Sequence, residues 1–324
     1  MCGISGILHH RAPHAEQAVA AMLRAMAHRG PDGSGTLTFA GGAAGMVRLA
    51  LVDLSARGQQ PMWSPNHDVA ILWNGEMYNF REERAGLGEY PFHSHTDTEV
   101  ALALYLTHGD EFLARLRGMF ATAIFDWRGR SKDDAPRVLL ARDRFGIKPL
   151  YLAERGETLA FASEVRALVA SGVVDGEICP EGLDDYLRYG FVVQPRTILR
   201  GVRMMEPGTA AVIESATARR AWRFAEMPRA EKRAIDSADA ARELRAVSAN
   251  GFVAPASRGA LQHRHAQALQ IWRHAWVFLA CAWLARAEAR FVDFEAHELA
   301  HAVGVAATHE DCGFLCLQVT YVRG

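Results

Sequence analysis

Cys2 is the second residue of this 324-residue chain and is followed at once by Gly3-Ile4-Ser5-Gly6. Removal of Met1 leaves a cysteine with a free α-amino group, so that one residue carries both a nucleophile and a base. The thiolate is the reactive form of a thiol. An α-amino group, with an ordinary pKa of about 7.7–8.0, takes up the thiol proton near neutrality without a histidine. The competing reading of Cys2 is a small core hydrophobe, since free cysteine is among the most buried residue types.

A cysteine amidase also needs donors for a tetrahedral oxyanion and charged groups that hold an amino-acid substrate. The run Trp73-Asn74-Gly75-Glu76-Met77-Tyr78-Asn79 offers both. An Asn74 side-chain amide and a Gly75 backbone N–H can converge on one oxyanion, and Glu76 adds an acceptor. Asp97, within His95-Thr96-Asp97-Thr98-Glu99, adds another acceptor at a helix start, where Thr96 or Asp97 can equally be an N-cap. Arg48 enters a strand and can pair a carboxylate bidentately. Each has a plainer alternative: Asn-Gly is a common hairpin turn, and Arg48 can be a surface charge.

The elements that must position these residues follow from periodicity. Residues 2–8 read as a strand and 15–27 as a helix with Val19, Met22, Leu23 and Met26 on one face. A Gly/Pro turn at 28–33 precedes apolar or alternating runs at 47–54, 69–73, 119–126, 137–142 and 149–153. Helices are expected at 98–107, near 163–170 and at 183–190, and a closing hairpin at 209–223. Grouped strands and grouped helices indicate a layered α+β fold rather than a doubly wound sheet. Beyond about residue 244 the texture changes, and 249–270 lose periodicity.

Composition narrows the function classes. Half of the residues are hydrophobic, 23% are charged and the net charge is −1, which gives no electrostatic footprint for nucleic acid or an anionic membrane. Five cysteines, an odd number without regular spacing, do not make a disulfide framework, and we expect a cytoplasmic protein. No secretory signal is visible at the N-terminus, and the longest apolar run, 275–285, is too short to span a bilayer.

Taken in order, the motifs resemble the class II glutamine amidotransferases, and among them the glutamine-hydrolysing asparagine synthetases. The matching segments are Cys2-Gly-Ile-Ser-Gly6, His28-Arg-Gly-Pro-Asp32, Arg48-Leu-Ala-Leu-Val-Asp53, Asn74-Gly-Glu-Met-Tyr-Asn79 and Thr96-Asp-Thr-Glu99. Gly118–Asp126, Ala141–Tyr151 and Phe161-Ala-Ser-Glu164 extend the likeness, which is nearly continuous from 2 to about 224. The one departure in these segments is Val47, before Arg48, where relatives often carry a basic or polar residue.

The resemblance implies an N-terminal-nucleophile hydrolase fold, a four-layer αββα sandwich, over a glutaminase domain at 1–210. A partial α/β ATP-pyrophosphatase-like domain would follow at 211–324. Cys2 would be the nucleophile, Asn74 and Gly75 the oxyanion hole, Arg48 the ligand of the glutamine α-carboxylate, and Glu76 and Asp97 the holders of its α-amino end. The implied reaction releases ammonia and hydrolyses a γ-glutamyl thioester to glutamate, with no cofactor and no metal. ATP, magnesium and aspartate belong to the family's synthetase reaction, and a homodimer is the assembly we expect. The alternatives are a glutaminase that feeds another acceptor and an inactive partner of an intact synthetase.

The synthetase half departs from the family. Its phosphate-binding run, Ser-Gly-Gly-x-Asp-Ser, lets backbone N–H groups approach a pyrophosphate, and the 324 residues contain none. Family texture returns in part at 290–310, a pattern that a reading-frame change or a truncation would leave. His297-Glu298-Leu299-Ala300-His301 fits H-E-x-x-H, a zinc pattern of three fixed residues in a chain with 14 histidines. The synthetase resemblance accounts for the same segment better. The aromatic stretch 271–278 and the Cys312/Cys316 pair carry no function in this reading.

Overall fold

The computed structural model describes residues 1–9, 14–215, 217–227, 236, 238–243 and 245. The chain divides into two compact units, Met1–Met227 and Pro228–Gly324. The H-E-x-x-H match, the 271–278 stretch and the Cys312/Cys316 pair lie outside the described residues.

The first unit is built from two antiparallel sheets. One contains β1 (Gly3–Leu8), β2 (Gly33–Phe39), β3 (Gly42–Arg48), β8 (Tyr151–Arg155), β9 (Thr158–Ala162) and β10 (Val202–Met204), in the order β10-β8-β9-β1-β3-β2. The other contains β4 (Met62–Trp63), β5 (Val69–Met77), β6 (Gly118–Asp126), β7 (Arg137–Arg142), β11 (Thr209–Ile213) and β12 (Arg219–Arg223), in the order β12-β11-β7-β6-β5-β4. Helices α1 (His14–Ala25) and α5 (Val165–Ala170) accompany the first sheet, and α3 (Asp97–His108) packs on β5. The short helices α2 (Phe80–Gly86) and α4 (Phe112–Arg115) flank α3, and α6 (Pro180–Tyr189) leads toward β10.

Three apolar clusters define four layers. Ile4, Leu8, Met46, Leu72, Phe125 and Phe161 meet between the sheets. Ile7, Val19, Met22, Val47 and Leu168 join the first sheet to α1 and α5, and Ile71, Trp73, Val100, Leu104 and Phe112 join the second to α3. Both faces of each sheet are covered, so the central strands read as continuous apolar runs rather than alternating ones. The αββα layering expected from the resemblance is therefore present.

Three sequence expectations shift. The run at 47–54 is not a strand: β3 ends at Arg48, and a loop with a 3₁₀ turn at Ala56–Gly58 follows. Asn74-Gly75 is no hairpin turn but lies inside β5, which continues to Met77. The hairpin β2–β3, turning at Gly41 with φ +78°, has too many glycines to show apolar periodicity. Its small residues answer to close packing: a Cβ on Gly45 would lie 2.8 Å from the Gly35 carbonyl and 2.9 Å from Leu23. The hairpin β11–β12 pairs with β7 and completes the second sheet, so the unit runs through the expected boundary at 210.

Candidate active site

Strand alternation aims the candidate residues Cys2, Asn74 and Glu76 toward the space between the sheets. Along β1, Ile4 and Leu8 enter the inter-sheet core and Ile7 faces α1, so Cys2, two residues before Ile4, packs against the inter-sheet core. On β5 the same parity sends Ala70 and Leu72 inward and Ile71 and Trp73 toward α3. Asn74 and Glu76 continue the inward series.

The register between β1 and β3 pairs Gly3 with Val47, which brings Cys2 opposite Arg48 at the mouth of the two strands. The Leu49 N–H lies 3.4 Å from the Cys2 sulfur, and the thiol lies 3.6 Å from the Leu49 carbonyl. Burial pushes the Cys2 thiol above its ordinary value, and the Leu49 N–H opposes that rise. The Arg29 guanidinium donates to the Cys2 carbonyl at 2.9 Å and to Glu164 at 3.0 Å, while His28 reaches the same Glu164 oxygen at 2.9 Å. The chain's amino terminus is held below its ordinary pKa, first by partial burial and then by Arg29 and Lys148.

One hydroxyl joins the two sheets here. Ser163, fully buried after β9, accepts from the Ile4 N–H at 3.0 Å and from the Asn74 amide at 3.4 Å. The second Asn74 amide hydrogen has no partner among the described residues.

Gly75 pairs with Phe120 on β6. Both backbone groups of Phe120 turn to Asp143, so the Gly75 N–H points away from β6, as do those of Trp73 and Met77. Trp73 N–H is bound by Gln60 at 2.6 Å and Met77 N–H by Asp97 at 2.8 Å, and the Gly75 N–H lies between them at the edge of β5. A Cβ on Gly75 would fall 2.5 Å from the Met119 carbonyl and 2.6 Å from the Phe120 Cβ, so the strand geometry requires glycine.

Arg48 is buried and points its guanidinium at the loop that follows β3. It donates to the Ser55 carbonyl at 3.1 Å and to the Asp53 carbonyl. That removes the surface-charge reading. Two main-chain acceptors fix the guanidinium, and its remaining N–H groups are available to a carboxylate.

The helix-start ambiguity at α3 is also settled. Thr96 is the N-cap, accepting from the Glu99 N–H at 3.2 Å. Asp97 instead ties the helix to β5, accepting from the Met77 N–H and from the Trp73 indole at 3.2 Å. Burial raises its pKa against these donors. Glu76 is pushed up to about 7, first by burial and then by the Asp97 charge, with Lys148 opposing.

All six residues singled out from the sequence, Cys2, Arg48, Asn74, Gly75, Glu76 and Asp97, therefore lie at the same end of the two sheets. Sequence reasoning gave no role to Ser163, Arg29 or Lys148. Each sits inside a motif, but nothing local marks a residue whose partner is more than a hundred positions away, as Ile4 is from Ser163.

Residues 1–224 match the family model described as "Glutamine amidotransferase domain". The chain belongs to the class II glutamine amidotransferases. Glutamine-hydrolysing asparagine synthetase 1 of Bacillus subtilis is 38% identical over 221 residues, covering 66% of this chain and 33% of that protein. Asparagine synthetase B of Escherichia coli is 41% identical over 174 residues, 52% of this chain and 30% of that one. This amidotransferase thus spans about a third of the length of these curated relatives. Glutamine PRPP amidotransferase from B. subtilis, solved with ADP and GMP, superposes with a TM-score of 0.51 at 21% identity, over 69% of this chain and 49% of that one. That likeness establishes the shared N-terminal-nucleophile fold. No described helix is long and apolar enough to cross a membrane.

Proposed function

We propose that this amidotransferase hydrolyses the side-chain amide of glutamine through Cys2. With Met1 removed, the Cys2 amino group takes the thiol proton and the thiolate attacks the amide carbon. The oxyanion is met by the Asn74 amide and the Gly75 N–H. The protonated amine returns its proton to the departing nitrogen, ammonia leaves, and water hydrolyses the γ-glutamyl thioester to glutamate. Arg48 pairs the substrate α-carboxylate, and Glu76 and Asp97 hold its α-ammonium. The observation that carries this reading is the link from Cys2 to Asn74 across two sheets, through Ile4 and Ser163.

Aspartate amidation is the reaction that the curated relatives' name adds. It needs ATP and magnesium, and we assign these 324 residues no ATP-dependent step because they hold no Ser-Gly-Gly-x-Asp-Ser run. The ammonia acceptor we favour is aspartate, activated by a synthetase domain of the family's kind.

Glutamate release from glutamine, measured beside the mass of the purified N-terminus, tests the proposal. The expected result is turnover without ATP in molecules that begin at Cys2. Full turnover in molecules that retain Met1 would remove the proposed base.

The Glu76 carboxyl sets a pH dependence. It titrates at about 7 in the folded protein against an ordinary value of 4.5, so the ionised form that attracts an α-ammonium gains population as pH rises through 7. The KM for glutamine should fall about tenfold between pH 6 and 8, an order-of-magnitude expectation from one titrating charge, and Glu76→Gln should flatten that dependence. The stability linkage has the opposite sense. Stability contributed by the raised carboxyl is complete below 4.5 and is lost as pH climbs through about 7. An unchanged KM slope in Glu76→Gln would separate Glu76 from substrate binding.

A further inference from the structure

The two-residue link Ser163-Glu164 between β9 and α5 carries a serine to which the proposed mechanism gives no step. Ser163 is only 1% exposed. Strand parity aims it: Ala160 and Ala162 face α1 while Phe161 enters the inter-sheet core, so Ser163 continues inward beside Ile4.

Its main chain stands where β1 would find its next partner. The β1–β9 register ends with Ser5 opposite Ala162, and one step on the Ser163 N–H still donates to the Ile4 carbonyl at 2.9 Å. The returning bond departs from a regular ladder, because the Ile4 N–H donates to the Ser163 hydroxyl at 3.0 Å and not to its carbonyl. A hydroxyl that replaces a strand carbonyl lets the chain turn away into α5. It also places the acceptor between the sheets, where the Asn74 amide donates to it at 3.4 Å.

The neighbouring Glu164 completes the grip. It accepts from Arg29 at 3.0 Å, and Arg29 donates to the Cys2 carbonyl at 2.9 Å. Two adjacent residues therefore fix the chain on both sides of Gly3, Ser163 through Ile4 and Glu164 through Cys2, and Ser163 reaches the second sheet as well. A hydroxyl oxygen has two lone pairs, so one serine can hold the nucleophile's strand and the oxyanion donor at once. Asn74 is itself 1% exposed, and an amide whose first N–H is aimed at a fixed oxygen has the direction of its second N–H set too. The Asn74 bond is long in the free protein, as catalytic hydrogen bonds commonly are before the reacting complex tightens them.

We propose that Ser163 is a positioning residue of the glutaminase site: its hydroxyl holds the Asn74 amide in the orientation that meets the oxyanion and ties it to the strand that carries Cys2. Ser163 transfers no proton and touches no substrate in this role. Its effect passes through Asn74, and its use rests on the glutaminase reading.

The experiment is a double-mutant cycle in the full chain, with kcat and KM for glutamine measured in wild type, Ser163→Ala, Asn74→Ala and the double variant. Ser163→Cys, which keeps the side chain's size but accepts hydrogen bonds weakly, takes the place of the alanine variant if that one does not fold. Loss of the hydroxyl is expected to lower kcat about tenfold with KM within about twofold of wild type, the scale of one positioning hydrogen bond. In the Asn74→Ala background the same change is expected to cost less than about twofold, because the group it positions is gone. A serine that only braced β1 would cost the same factor in both backgrounds, and that additive result overturns the proposal. So does a folded Ser163 variant whose kcat is unchanged, whether or not its KM rises. Wild-type protein that releases no glutamate ends the glutaminase reading and this proposal with it, whereas an active wild type with an additive cycle ends the proposal alone.

Discussion

Cys2→Ala is expected to lower glutamate release on the order of 10⁴–10⁶-fold, the range seen when an enzyme loses its nucleophile. The prediction is large because no other described cysteine lies at the site. The other described cysteine, Cys179, precedes α6 and donates its thiol to Glu181 at 3.2 Å, with no part in the cluster around Asn74. Alanine also leaves the fold intact, since Cys2 stands outside β1 and is only partly buried. Glutamine binding, which we assign to Arg48, Glu76 and Asp97, should survive in the variant. Steady-state glutamate release together with a glutamine titration by calorimetry checks both halves. Appreciable turnover by Cys2→Ala would end the covalent mechanism.

Asn74→Ala is expected to lower kcat about 10²–10³-fold, or about 2.7–4 kcal/mol, with little change in KM. The Asn74 amide meets charge that exists only in the tetrahedral intermediate, so its loss is felt in the transition state and not in the bound substrate. The Gly75 N–H continues to donate, which limits the loss. A structural side effect is small, because the bond that Asn74 gives up to Ser163 is long at 3.4 Å, and Ser163 keeps the Ile4 N–H. A variant whose KM rises while kcat holds would move Asn74 from the oxyanion to substrate recognition.

The candidate residues could be picked out from the sequence because each sits in a short segment of fixed local geometry. Asn74-Gly75 was ambiguous only while β5 was read as ending at Trp73, and the glycine is explained by β6, which lies beside it in space but not in sequence. Asp97 could be placed at a helix start from its neighbours, yet its link to Trp73 and Met77 depends on how α3 docks on β5. The strands β2 and β3 escaped because glycines and alanines that permit close packing carry no apolar period.

The central claim is a γ-glutamyl thioester on an N-terminal cysteine. It is tested most directly by acid-quenching the full chain during turnover with glutamine and measuring the mass of its N-terminal peptide. The account predicts a peptide that begins at Cys2, lacks Met1 and carries one glutamyl group on the Cys2 sulfur. Turnover with no adduct at Cys2 at any quench time, or with the adduct on another cysteine, would contradict it.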